Sequence, residues 1–228
     1  MRRAGLACVA CWALAAAPAL AQPPAPRVEV SVSGLWSGGY ALGVQPADET
    51  RNQAGGGAFT LFTTSSRATP ARGAELRVGV RLGRHLAVEA GGSWARASVS
   101  TRVSGDAEQA PGVTATAGFT QYVVDGALVL RLPRLAFAGG RAVPFAEAGA
   151  GYLRQLYAGR TLIETGSVVH AGGGLRVWLR RRPAGWLKRV GVRADGRLVV
   201  RRRGIDLGGG GGRARVYGSV SAGLAVGF

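Results

Sequence analysis

A chain of 228 residues, 47% apolar with 38 glycines and no shift in composition along its length, fits one domain of ordinary size. Its formal charge of +17 is carried almost entirely by arginines scattered through glycine-rich segments, so it marks no clustered phosphate-binding face and nucleic acid is not an expected partner. Both cysteines, Cys8 and Cys11, lie near the start, which excludes a disulfide framework or a thiolate metal site from the rest of the chain, and no cofactor is expected.

The opening "MRRAGLACVACWALAAAPALAQ" pairs two arginines with an apolar run and closes on Ala19-Leu20-Ala21, the small-x-small pattern of a cleaved export signal. Residues 1–21 therefore read as a signal peptide, with cleavage between Ala21 and Gln22 and a single domain over 22–228. A spanning anchor is the rival reading, but the run is mostly alanine and is broken by Pro18. Neither cysteine has a Leu three residues ahead of it, so lipid attachment is not expected.

From there the apolar positions recur with period two, the mark of strands. Residues 27–44 set Val28, Val30, Val32, Trp36, Tyr40, Leu42 and Val44 against Glu29, Ser31, Ser33 and Ser37. "AELRVGVRL" (74–82) and "HLAVEAGGSW" (85–94) alternate likewise, with only a tight turn between them. The pattern returns in "TQYVVDGALVLRL" (120–132), "VPFAEAGAGYLRQ" (143–155), "SVVHAGGGLRVWL" (167–179), "RVGVRADGRLVV" (189–200) and the closing "RARVYGSVSAGLAVGF" (213–228). "GAFTLFTTSS" (57–66) alternates poorly and is placed in the first outer loop.

Eight strands predict an all-β fold, an antiparallel transmembrane β-barrel, because a bilayer admits only helices or closed barrels and single-chain bacterial barrels use even strand numbers. The alternative is ten strands, reached if 57–66 spans and the first segment splits. Connections at 45–72, 99–117, 157–164 and 203–212 fall on one side and those at 83–85, 133–142 and 180–189 on the other, and the first set holds the two longest, as expected of outer loops.

The inward parity carries an unusual load. Glu29, Glu75, Glu89, Asp125, Glu147 and Asp195 share it with Arg77, Arg81, Arg131, Arg176, Arg193, Arg197 and His170. Side chains can fill an eight-stranded interior, and charges there must pair to offset desolvation. A lumen network is the expectation, with Glu147 and Arg176 as neighbours. The competing reading makes His170, between Glu147 and Asp195, an acid–base group, yet no nucleophile is marked by spacing. Tyr40, Trp94, Tyr122 and Tyr152 are expected at the outer ends of lipid-facing strands. The arginine runs at 180–182 and 201–203 could meet phospholipid headgroups and lipid A phosphates respectively.

Taken with the signal, "VPFAEAGAGYL" (143–153), "GGGLRVWL" (172–179), "VGVRADGRLVV" (190–200) and the terminal Phe228, the mature chain resembles the small eight-stranded outer-membrane barrels of the outer membrane protein A and X type. The resemblance implies an outer-membrane location among lipids and lipopolysaccharide, and recognition of Phe228 by the barrel-assembly machinery. It implies no cell-wall tether, since no peptidoglycan-binding segment follows. Some barrels of this size act on lipid A, but the deacylase His-x-Ser-Asn arrangement is not matched by "VVHAGG" around His170. The expected role is structural or one of surface interaction through outer loops, not enzymatic. A narrow pore for small solutes is the alternative, and a lipid A-modifying enzyme a more distant one.

Overall fold

Alternating side chains let a strand present one face to lipid and one to a lumen, and the described residues form ten strands: β1 (Val28–Ser37), β2 (Tyr40–Thr50), β3 (Ala58–Ala68), β4 (Ala71–Arg81), β5 (Leu86–Ser104), β6 (Val113–Arg131), β7 (Ala142–Tyr157), β8 (Ile163–Arg181), β9 (Arg189–Arg203) and β10 (Arg215–Gly227). The computed structural model describes residues 27–50, 58–107, 110–157, 162–181, 185–207 and 214–228. The signal segment 1–21, the Ala21–Gln22 cleavage point, Asn52 and the glycine runs at 55–57 and 209–212 lie outside the described residues.

Eight of the strands close a ring in the order β1, β4, β5, β6, β7, β8, β9, β10, every neighbour antiparallel. Closure is made by the first and last strands, with Val30 opposite Val226 and Trp36 opposite Val220. A closed ring leaves no sheet edge within the bilayer, where an unpaired backbone group would be costly.

Residues 57–66 belong to a strand rather than to a loop: β3 pairs with β2 on one side and with Thr63–Ala68 against Val99–Ser104 of β5 on the other. They add no member to the ring, because β2 and β3 continue β1 and β4 upward beyond a break. The break has a local cause. Pro70 has no backbone N–H to give to the ladder, and a side chain at Gly39 would lie 2.5 Å from Ala68 O, so β1 and β4 stop opposite each other at Ser37 and Ala71. The segment expected as the outer loop 99–117 is likewise mostly strand, since β5 runs to Ser104 and β6 begins at Val113. Above the ring, β2, β3, β5 and β6 therefore form a four-stranded outer sheet.

The break reverses parity. Tyr40 and Leu42, expected on the lipid side with Trp36, turn inward: Leu42 is buried and the Tyr40 ring stacks on that of Tyr217, with centroids 5.1 Å apart. A register shift between Ala41 and Gly43 then returns Val44 to the outside.

Large apolar side chains point away from the barrel all around it, among them Val32, Leu76, Val88, Val124, Leu128, Val169, Leu198 and Leu224. From Leu86 to Trp94, β5 climbs roughly 20 Å at ordinary strand rise and barrel tilt, close to the height of an outer-membrane apolar band. Trp36, Trp94, Tyr122 and Tyr152 lie exposed at its outer margin. At its inner margin Trp186 stacks on Phe228 at 5.4 Å, so aromatic rings mark both interfaces.

Candidate functional site

The lumen holds one connected set of charges that touches every member of the ring. On β4, Arg77 bonds Glu75 and reaches Asp125 of β6 at 2.9 Å, and Asp125 meets His170 Nε2 of β8 at 2.7 Å. Arg197 of β9 binds Glu75 at 2.8 Å, Asp195 at 2.5 Å and Glu147 of β7. Arg193, four residues lower on β9, binds Glu147 at 2.8 Å, Glu89 of β5 at 2.7 Å and Asp195 at 3.0 Å. Arg176 of β8 bonds Glu89 and lies 2.8 Å from Glu29 of β1. Ser221 of β10 donates to Asp195 at 3.0 Å. Multiple partners per guanidinium are what five fixed donors permit.

Small residues make the space. A side chain at Gly91 would lie 2.5 Å from Asp125 Oδ1, and one at Gly149 would lie 2.7 Å from His170 Nε2. These inward glycines are the holes into which the long charged groups of neighbouring strands fold.

The expected Glu147–Arg176 contact is not formed. Register places Glu147 opposite Gly172 and Arg176 opposite Val143, four residues further toward the inner end. Arg176 thus reaches down and across to Glu29 and Glu89, while Glu147 is taken by two arginines of β9. His170 does not sit between Glu147 and Asp195 either; its carboxylate partner is Asp125. Arg81 and Arg131, also inward, form no ion pair with a described carboxylate and lie at the inner end, opposite Ala87 and Phe145.

Two further layers enclose the charges, and sequence reasoning missed both. On the inner side, Phe145 carries Arg176 and Arg193 over its ring at 4.5 and 4.8 Å, packed with Ala87 and Val129. On the outer side, Leu153, Val168, Val199 and Tyr217 cover the network. Above them Arg201 donates to Tyr40 Oη at 2.7 Å, to Gln155 Oε1 at 2.8 Å and to Ile205 O at 2.7 Å.

Ile205 packs into the outer end of the barrel. Arg203 and Gly204 take left-handed backbone angles, φ 62° and 81°, which turn Ile205 back toward the barrel. Ile205 N–H then donates to Gln155 Oε1 at 3.0 Å, and its side chain is buried among Leu42, Ala68, Val99 and Phe119. Within the lumen a cavity of about 50 Å³ remains beside Glu75, Arg77, Asp125, His170 and Ser219, enough for a few waters. Among the described residues no group of His, Cys, Asp and Glu is placed to hold a metal ion.

No protein-family model and no curated sequence matches the chain. Solved structures do. Outer membrane protein OprG of Pseudomonas aeruginosa aligns over 90% of this chain and 96% of its own at 11% identity, with a TM-score of 0.51. Ail, the attachment invasion locus protein of Yersinia pestis, solved with the heparin analogue sucrose octasulfate, aligns over 87% of this chain and 99% of its own at 13% identity and TM-score 0.40. The outer membrane protease OmpT of Escherichia coli covers 92% and 99% at 9% identity and TM-score 0.37. The likeness to OprG is one of fold. With the apolar outer band and the closed ring, the chain is an eight-stranded β-barrel of the outer-membrane type, and its place is the outer membrane.

Proposed function

We propose that this barrel is a surface-interaction protein, with the membrane-embedded part serving as a closed, non-enzymatic support and the outer sheet as the working surface. The observation that carries the reading is a strand edge that no described residue pairs with. Residues 113–118 of β6, "VTATAG", pair with β5 on one side, whereas pairing with β7 begins only at Phe119. All six are exposed, and none is charged or a proline. Such an edge offers ladder hydrogen bonds to an extended segment of another protein. The opposite edge, β2, is guarded by two register shifts, Pro46 and Asp48, so strand addition is directed to β6.

Membrane contacts support the same role. Arg72 of β4 stands opposite Arg96 of β5, and Arg96 lies over the Trp94 ring at 5.0 Å, just above the apolar band. Like charges placed side by side repel, and phosphate groups of outer-leaflet lipids such as lipopolysaccharide relieve that repulsion. Phe228, held against Trp186 at the inner margin, is the group offered to the assembly machinery during insertion.

The test is to display the wild type and a Thr114→Lys/Thr116→Lys variant on cells and compare adhesion to immobilised extracellular proteins, with heat-modifiable folding as control. Loss of adhesion in the folded variant supports the reading. An altered lipid A mass in cells carrying the wild type would replace it with an enzyme.

A further inference from the structure

The inner mouth of the barrel concentrates positive charge that the lumen network does not neutralise. Arg131 on β6 is 7% exposed, pairs with no carboxylate among the described residues, and its Nε has no hydrogen-bond partner. The charges bearing most on it are Arg81, Arg176 and Arg189, against Glu29 alone, and Glu29 is already held by Arg176 at 2.8 Å. Arg81 faces the same set. A second buried donor without a partner among the described residues, Trp178 Nε1, lies at this end of β8, with the Arg189 guanidinium 5.8 Å from its ring.

Buried cations set beside like charges are costly unless a counter-charge joins them, and buried donors are almost always satisfied. Both deficits have the same sign: among the described residues Arg131 and Trp178 have spare donors, and Arg131 and Arg81 spare positive charge. An oxyanion supplies acceptors and negative charge together, and guanidinium groups hold phosphate oxygens through paired N–H bonds.

We propose that the inner mouth is a binding site for a phosphate-bearing anion, held by Arg131 and Arg81 with the Trp178 indole N–H as a further donor. The phosphate belongs either to a soluble compound or to a phospholipid headgroup folded in from the inner leaflet.

The Trp178 indole N–H resonance, identified by its loss in Trp178→Phe, reads the site directly in refolded protein. Inorganic phosphate, short-chain phosphatidylglycerol and sodium chloride at matched ionic strength are titrated separately into uncharged micelles. A saturable shift with phosphate identifies a soluble ligand, and one with phosphatidylglycerol alone identifies the headgroup. Either shift should weaken at least tenfold in Arg131→Gln and weaken less in Arg131→Lys, which keeps the charge but not the paired donors. Should Arg131→Gln fail to fold, Arg81→Gln supplies the same comparison. Chloride reproducing the shift, no saturable shift at all, or equal shifts in both glutamine variants would overturn the proposal.

Discussion

Arg193 Nη2 of β9 lies 2.8 Å from Glu147 Oε2 of β7, although β8 stands between their strands. The contact is made through the lumen rather than along the wall, so it ties non-neighbouring strands together. Removing one member of a buried pair leaves the other uncompensated and costs roughly 3–5 kcal/mol. Glu147→Ala is therefore expected to lower the unfolding free energy of the refolded barrel, read from its denaturant titration, by an amount in that range. Adding Arg193→Ala should restore part of the loss, giving a non-additive cycle. Purely additive losses would mean that water, and not the partner, solvates each charge.

Space for the charges is supplied by missing side chains. A Cβ at Gly149 would press on the Gly126 carbonyl and lie 2.7 Å from His170 Nε2. Gly149→Ala should cost about 1–3 kcal/mol, the ordinary penalty of overpacking. Gly126→Ala on the lipid side meets nothing closer than 3.9 Å, and its midpoint should stay near the wild type.

The outer closure depends on one amide. Gln155 accepts from both Arg201 and the Ile205 N–H, so Gln155→Leu would leave two buried donors unmet. The connection after β9 is then expected to leave the mouth, read as faster proteolytic cleavage between 204 and 214 with the barrel still folded.

At the inner margin, deleting Phe228 removes the ring stacked on Trp186. The heat-modifiable folded fraction in cells is expected to fall, while unchanged insertion would dissociate the terminal ring from assembly.

Alternation made the wall readable, because each residue of a barrel strand faces either lipid or lumen and the two media select opposite chemistry. Parity does not reach across the lumen: it assigns Glu147 and Arg176 to one side of the wall, whereas strand stagger decides that they miss each other by four residues. Nor does it survive a break. Gly38-Gly39 and Pro70 were the available signal that Tyr40 and Leu42 would turn inward, and a strict count of two read through them. The 57–66 segment was obscure for a related reason, since β3 lies beyond the apolar band and Thr60, Thr63, Thr64 and Ser65 are exposed or half-buried, with no continuous apolar face to mark the strand. Ile205 as a plug depends on left-handed angles at Arg203 and Gly204, which no periodicity encodes.

The central claim is that the barrel is closed by its charge network below and by Ile205 above, so that its work lies outside the membrane. Planar-bilayer recording of the refolded wild type, alongside Gln155→Leu, tests it most directly. The account predicts no steady ionic current from the wild type and brief openings at most from the variant. A steady, ohmic current through the wild type would contradict it and make the protein a pore.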